Sequence, residues 1–241
     1  MKTYRTTWLA SIIGILMFVP ASHAQSAGTT QIWPAKIAAL NGCPVTIVRA
    51  QVANVSSGLS LGNLTLRNDS GANVTVWAVR YMFKMSDGTQ RSVYVLQPEH
   101  STVFGVGEQT FSSIPKTISA SGPNFSPNAS ALDAVAELEY VATSDGRTWA
   151  NDSAGVVAQM LAQVLTMQTE KQRLLSVYRQ QGERALLDAL AAQAAPGDPP
   201  ETAGSRQALL KTYQRNGLNA VLSVLQAPHL GGMLVKVRLD Q

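Results

Sequence analysis

The sequence predicts an α+β protein, with an antiparallel β-sandwich over residues 44–150 and a helical-hairpin segment over residues 151–228. Three observations carry this. Apolar and polar residues alternate through the first stretch and break at glycine-bearing turns, which is the period of half-buried strands. In the second stretch the apolar residues recur at three and four, the period of a helix face. The helical stretch also repeats itself: residues 174–192 align with 209–227 at an offset of 35.

The first residues are read as a targeting segment. Lys2 and Arg5 precede the apolar run WLASIIGILMFV, then Pro20, with Ser22 and Ala24 where a signal peptidase reads small residues. Residues 1–24 are therefore expected to be a secretory signal peptide, cut after Ala24, and the protein to be periplasmic or secreted. The run is shorter than the roughly 20 residues a spanning helix needs. Residues 25–43 are expected to be a flexible N-terminal arm. The whole chain carries a net charge of +4. Losing Lys2 and Arg5 leaves it near neutral, with no basic face of the kind nucleic acid requires. Cys43 is the only cysteine, so no intramolecular disulfide can form.

The strand elements follow in order. PVTIVRAQV alternates around Val45, Ile47 and Val52. GLSLGNLTLRN places Leu59, Leu61, Leu64 and Leu66 with a one-residue slip at Gly62–Asn63, which predicts a β-bulge there. NDSG at 68–71 is turn chemistry. NVTVWAVRYMF resumes the alternation, with both faces apolar enough for a central strand. SDG occurs at 86–88 and 144–146, each time between strand patterns, where the aspartate bonds the following backbone and the glycine takes positive φ. In the strand before the second turn, Leu132, Ala134, Ala136, Leu138 and Tyr140 are expected to face inward. Asp133, Glu137 and Glu139 are expected to face water. About seven strands with regular turns give the profile of an immunoglobulin-like sandwich.

On the marks NDSGANVTVW and SDGRTW, the segment 44–150 resembles the exported bacterial immunoglobulin-like β-sandwich proteins of uncharacterised function. In these an N-x-S/T turn opens a central strand and a DGxxW hairpin closes the domain. The resemblance implies a fold and carries no catalytic residue. The antibody inter-sheet disulfide is ruled out by the single cysteine.

The helical elements come next. Asp152 or Ser153 is placed to cap a helix from Ala154, with a stripe of Val157, Leu161, Val164 and Leu165 that resumes at Leu174, Leu175 and Tyr178. Gly182 is expected to end it in a left-handed cap. A second helix, ERALLDALAAQA, is followed by the breaker-rich linker 195–204. Two more helices, SRQALLKTYQRNG and LNAVLSVLQA, precede Pro228. The repeat shares Leu174/Leu209, Leu175/Leu210, Tyr178/Tyr213, Gly182/Gly217, Ala185/Ala220, Leu187/Leu222, Leu190/Leu225 and Ala192/Ala227. Its pattern is helix, glycine corner, helix. The first helix is similar to that of a tetratricopeptide repeat, and the second departs from it. Residues 229–241 hold a short alternating run, 231–239, expected to add a strand to the sandwich rather than form a tail.

Chemistry-bearing patterns are sparse. GLSLG at 58–62 matches the G-x-S-x-G string of a serine hydrolase centred on Ser60. That site needs strand, sharp turn and helix, and here the string lies between strands. His100 and His229 are the histidines left to serve as a base. Glu137 and Glu139 share a strand face, as paired glycosidase carboxylates do, but outward neighbours on a strand are ordinarily solvated surface. No zinc-ligand spacing occurs, and no metal or cofactor is expected. Trp77, Tyr81, Tyr94 and Trp149 offer a stacking platform for carbohydrate, although aromatics in a sandwich usually belong to its core. The expectation is a non-enzymatic interaction or structural protein whose partner is another envelope or secreted protein. Its candidate binding residues are Tyr178 and Tyr213, with Trp77 and Trp149 for the carbohydrate alternative.

Overall fold

The computed structural model describes residues 31–55, 58–98, 104–111, 118–119, 129–152, 154–192, 198–227 and 233–240. The expected signal segment, residues 1–24, and His100, His229 and Pro228 lie outside the described residues. The fold is mixed α+β, with two sheets face to face and two kinked helices.

One sheet runs β1 (Gln31–Pro34), β3 (Val45–Val55), β4 (Gly58–Asn68), β7 (Gly107–Phe111), with β8 (Ile118–Ser119) also on β4. The other runs β10 (Thr148–Ala150), β9 (Ala131–Thr143), β5 (Val74–Met85), β6 (Gln90–Gln97), β11 (Leu234–Asp240). A short β2 (Lys36–Ala38) joins the free edge of β9 and is the one parallel pairing between these strands. Residues 31–34 and 36–38, expected to be part of a loose arm, are therefore strand. β1 pairs with β3 and β2 with β9, so this segment passes from one sheet to the other at Ala35. Trp33 and Ala35 pack against the core and tie it down.

The inner faces close on each other. Val52, Leu61, Leu64, Leu66 and Phe111 from the first sheet meet Trp77, Val79, Tyr81, Phe83, Ala136 and Leu138 from the second. Trp77 and Phe111 stand 4.9 Å apart between centroids, in the tilted arrangement aromatic rings favour. The bulge at Gly62 lies where the alternation slips: Ala50 pairs with Leu64 and Val52 with Leu61, leaving Gln51 opposite two residues. Glycine is needed there because a Cβ would stand 3.0 Å from that of Gln51. Two further register shifts alter facing in β9. One, between Lys84 and Met85, turns Leu132 outward, where it is 64% exposed. The other falls between Ala78 and Val79, opposite Glu139, and moves Tyr140 to the outer face. Both residues had been expected inside.

Two helices intervene between β10 and β11, so the helical segment is an excursion between strands of the same sheet. α1 (Val156–Ala191) begins with Val156, Val157, Met160 and Val164 packed on Val76, Ala78, Tyr94 and Leu96 of the outer sheet face. Lys236 of β11 donates to Gln159 at 2.8 Å and holds the same end. Asp152 accepts from the Ala158 amide at 2.8 Å and satisfies one of the free donors of the first turn. α2 (Pro200–Gln226) starts earlier than its composition suggests, inside the stretch expected to be linker. Proline at the first helical position has its φ already set and lacks an amide that would go unpaired.

Candidate functional site

Each helix is broken once, and at the same place in the repeat. Gly182 has φ 81° and ψ −169°, and Gly217 has φ 76° and ψ −177°. Side-chain-bearing residues avoid this region, so glycine ends one helical run and turns the chain into the next. The four helices that sequence periodicity separates are thus joined two and two into bent rods. The rods close on a core of Leu174, Leu186, Leu190, Leu209, Val221 and Leu225. These are three quasi-equivalent pairs under the offset of 35, so the hairpin core is one half-site used twice. It contains no sheet residue. Val164, the last buried contact on the sheet, is separated from Gly182 by roughly 27 Å of helix at 1.5 Å per residue.

A buried ionic cluster fastens the base of the hairpin. Glu170 receives Arg206 at 2.7 Å and Arg173 at 2.7 Å, and Arg206 also reaches Asp198 at 3.1 Å. Burial pushes the Glu170 carboxyl up, but the two guanidiniums outweigh it and hold it below the usual glutamate range. Lys171 donates to the carbonyl of Ala227, at the end of α2, at 3.0 Å. A cation there also meets the negative end of the helix dipole.

The tyrosines predicted as contact residues sit one turn before each corner, half-buried on the hairpin core. They are equivalent in sequence and different in bonding. The Tyr213 hydroxyl donates to Glu183 at 2.7 Å, and that carboxylate raises the phenol above its ordinary value. The residue equivalent to Glu183 in the second copy is Leu218, and Tyr178 makes no hydrogen bond among the described residues. Arg179, Arg184, Lys211 and Arg215 flank the corners and are exposed.

The sandwich positions are placed differently from the carbohydrate alternative. Trp77 and Tyr81 lie within the core at 0% exposure, and Tyr94 lies beneath α1. None presents a ring face to a ligand, which removes Trp77 as a binding residue. Burial without a charged neighbour also pushes the Tyr81 phenol far up. Trp149 is half-buried against the core, with the Arg147 guanidinium 5.6 Å from its ring centre. Ser60 stands on β4, paired with Ala53 across an antiparallel hairpin, and β4 leads by a turn to β5. The strand-turn-helix that a nucleophilic serine requires is not built there.

Glu137 and Glu139 overturn their reading as solvated surface. Their side chains are 14% and 2% exposed. They lie beside the patch on which α1 packs, against the Asn151–Asp152 turn that leads into it. Arg80 on β5 lies between them. Its Nη2 donates to Glu137 at 2.7 Å; its Nε is 2.7 Å from Glu139, but off the line a hydrogen bond needs. Asn151 adds a bond to Glu137 at 3.1 Å. Sequence alternation marked the face but not the helix that packs beside it. The available signal was the uncharged stretch 154–169, whose apolar residues needed a surface to cover.

Among the described residues no group of three or more histidine, cysteine, aspartate or glutamate side chains is arranged to hold a metal, and no helix is long and apolar enough to cross a membrane. Comparison with family models, with curated proteins and with solved structures finds no match.

Proposed function

We propose that this is an exported, non-enzymatic interaction protein in which an immunoglobulin-like sandwich carries a duplicated helical hairpin that binds another envelope or extracellular protein. The observation that carries this reading is the hairpin itself. It has its own core, is fastened by its own ion cluster, and among the described residues packs on the sheet through the first turns of α1. Two half-buried tyrosines and four exposed basic residues stand at its corners, a composition suited to protein contact.

Support for the immunoglobulin-like assignment comes from connectivity and one residue. The chain crosses between sheets from β4 to β5, from β6 to β7 and from β8 to β9, as Greek-key sandwiches do. Trp77 is buried on β5, in the middle of the second sheet, against Phe111 of the first. Export rests on the N-terminal pattern of residues 1–24.

Affinity capture from an envelope extract tests the function. Wild-type protein recovers a specific partner, and the Tyr178→Ala, Tyr213→Ala double variant recovers less at unchanged circular dichroism. A protein that captures nothing and sediments as an inert monomer contradicts the proposal.

A further inference from the structure

The buried carboxylates Glu137 and Glu139 do not belong to the hairpin's contact surface; they lie against Asn151 and Asp152, the residues that lead into α1, and share one cation. We infer that Glu139 is a proton-operated latch: the first turns of α1 seat on the outer sheet face while Glu139 is protonated and loosen when it ionises.

Polar and titratable groups from several elements surround it. From β9 comes Glu137, from β5 Arg80, from β6 Tyr94, and from the turn before α1 Asn151 and Asp152. β11 contributes Lys236, already engaged with Gln159. α1 contributes nothing ionisable, since residues 154–169 carry no charge. Glu137 and Glu139 therefore share one guanidinium, and Asp152 adds a third negative charge beside Glu139. Arg80 is hydrogen-bonded to Glu137, which also has Asn151. Asp152 accepts from the helix amide of Ala158 through Oδ2. Glu139 is the most buried of the three and receives no hydrogen bond in this arrangement, so it is where a proton rests.

Burial is the main cause that pushes its carboxyl up to about 7 from an ordinary 4.5, and Arg80 offsets only part of that; Glu137 and Asp152 push the same way as burial. With the helix lifted, water reaches the site and the group returns toward its ordinary value. The seated state thus binds more protons than the lifted one. Seating is fully favoured below about pH 4.5, weakens as pH rises, and reaches its floor above about pH 7. Because the latch lies at the root of the hairpin, it sets how firmly the hairpin is held to the sandwich.

Hydrogen exchange of the amides in residues 158–164, corrected for intrinsic chemistry, reads the latch in the intact protein. Protection is expected to fall by up to about a hundredfold between pH 5 and pH 8 in the wild type. Glu139→Gln keeps the neutral form and should be flat within about threefold, while Glu137→Gln should retain a slope. Carbon-13 observation of the Glu139 carboxyl in the unaltered protein supplies a readout that depends on no variant. Titration near neutrality supports the latch. Titration below pH 5, or a wild-type exchange profile no steeper than that of Glu139→Gln, overturns it.

Discussion

The sandwich and the hairpin solve the same problem with different materials. In the sandwich, large rings and branched residues from two sheets fill one continuous core, and Trp77, Tyr81 and Phe83 are each no more than 1% exposed. In the hairpin six aliphatic side chains, paired by the repeat, form a core with no aromatic ring at its centre, and a buried ion cluster closes the base. A buried ion pair stabilises little compared with apolar groups of the same shape, but it penalises wrong pairings strongly. The sandwich therefore obtains its stability from area, whereas the hairpin obtains a specific geometry from a small core. A small unit with its own core is the part of the molecule we propose gives its outer surface to a partner.

Perturbing each core shows how separate they are. Trp77→Ala should have the largest effect. Loss of a fully buried ring between the sheets costs about 3–5 kcal/mol, and chemical denaturation should show the whole chain destabilised. Leu174→Ala removes a side chain that is 0% exposed in the hairpin, at about 2–5 kcal/mol. Here the loss should be local: far-ultraviolet helical signal melts early, and tryptophan fluorescence keeps its wild-type midpoint. A single shared transition would show that the two cores are one cooperative unit. Gly182→Ala and Gly217→Ala should each cost about 1–3 kcal/mol. At both corners a Cβ meets nothing within 4 Å, so the penalty comes from the backbone angles and not from a clash. If the two corners are equivalent, the two thermal shifts should agree. The smallest effect separates the repeats. Tyr213→Phe removes the bond to Glu183 and should lower the melting temperature slightly, while Tyr178→Phe should leave it unchanged.

The same comparison shows what could be read from the chain alone. Alternation marked the strands, and the slip at Gly62–Asn63 marked a bulge, because a one-residue shift exchanges faces and leaves a trace in the pattern. The repeat was visible because both copies need the same leucines and the same glycine. Two features were hidden. Leu132 and Tyr140 changed faces through bulges opposite Lys84 and beside Glu139, where the sequence carries no glycine to announce them. Glu137 and Glu139 looked solvated because their partners, Arg80 and Asn151, come from other parts of the chain. The candidate contact tyrosines were named from the sequence, while their inequivalence depends on Glu183 reaching across from the other copy.

Site-specific photocross-linking in the native host compares the two regions as binding surfaces most directly. A benzoylphenylalanine replaces Arg179 at the hairpin corner in one variant and Glu108 on β7 of the sandwich in another, both positions being exposed. The account predicts a discrete protein adduct from position 179 and none from position 108. Adducts from position 108 with none from position 179 would contradict it.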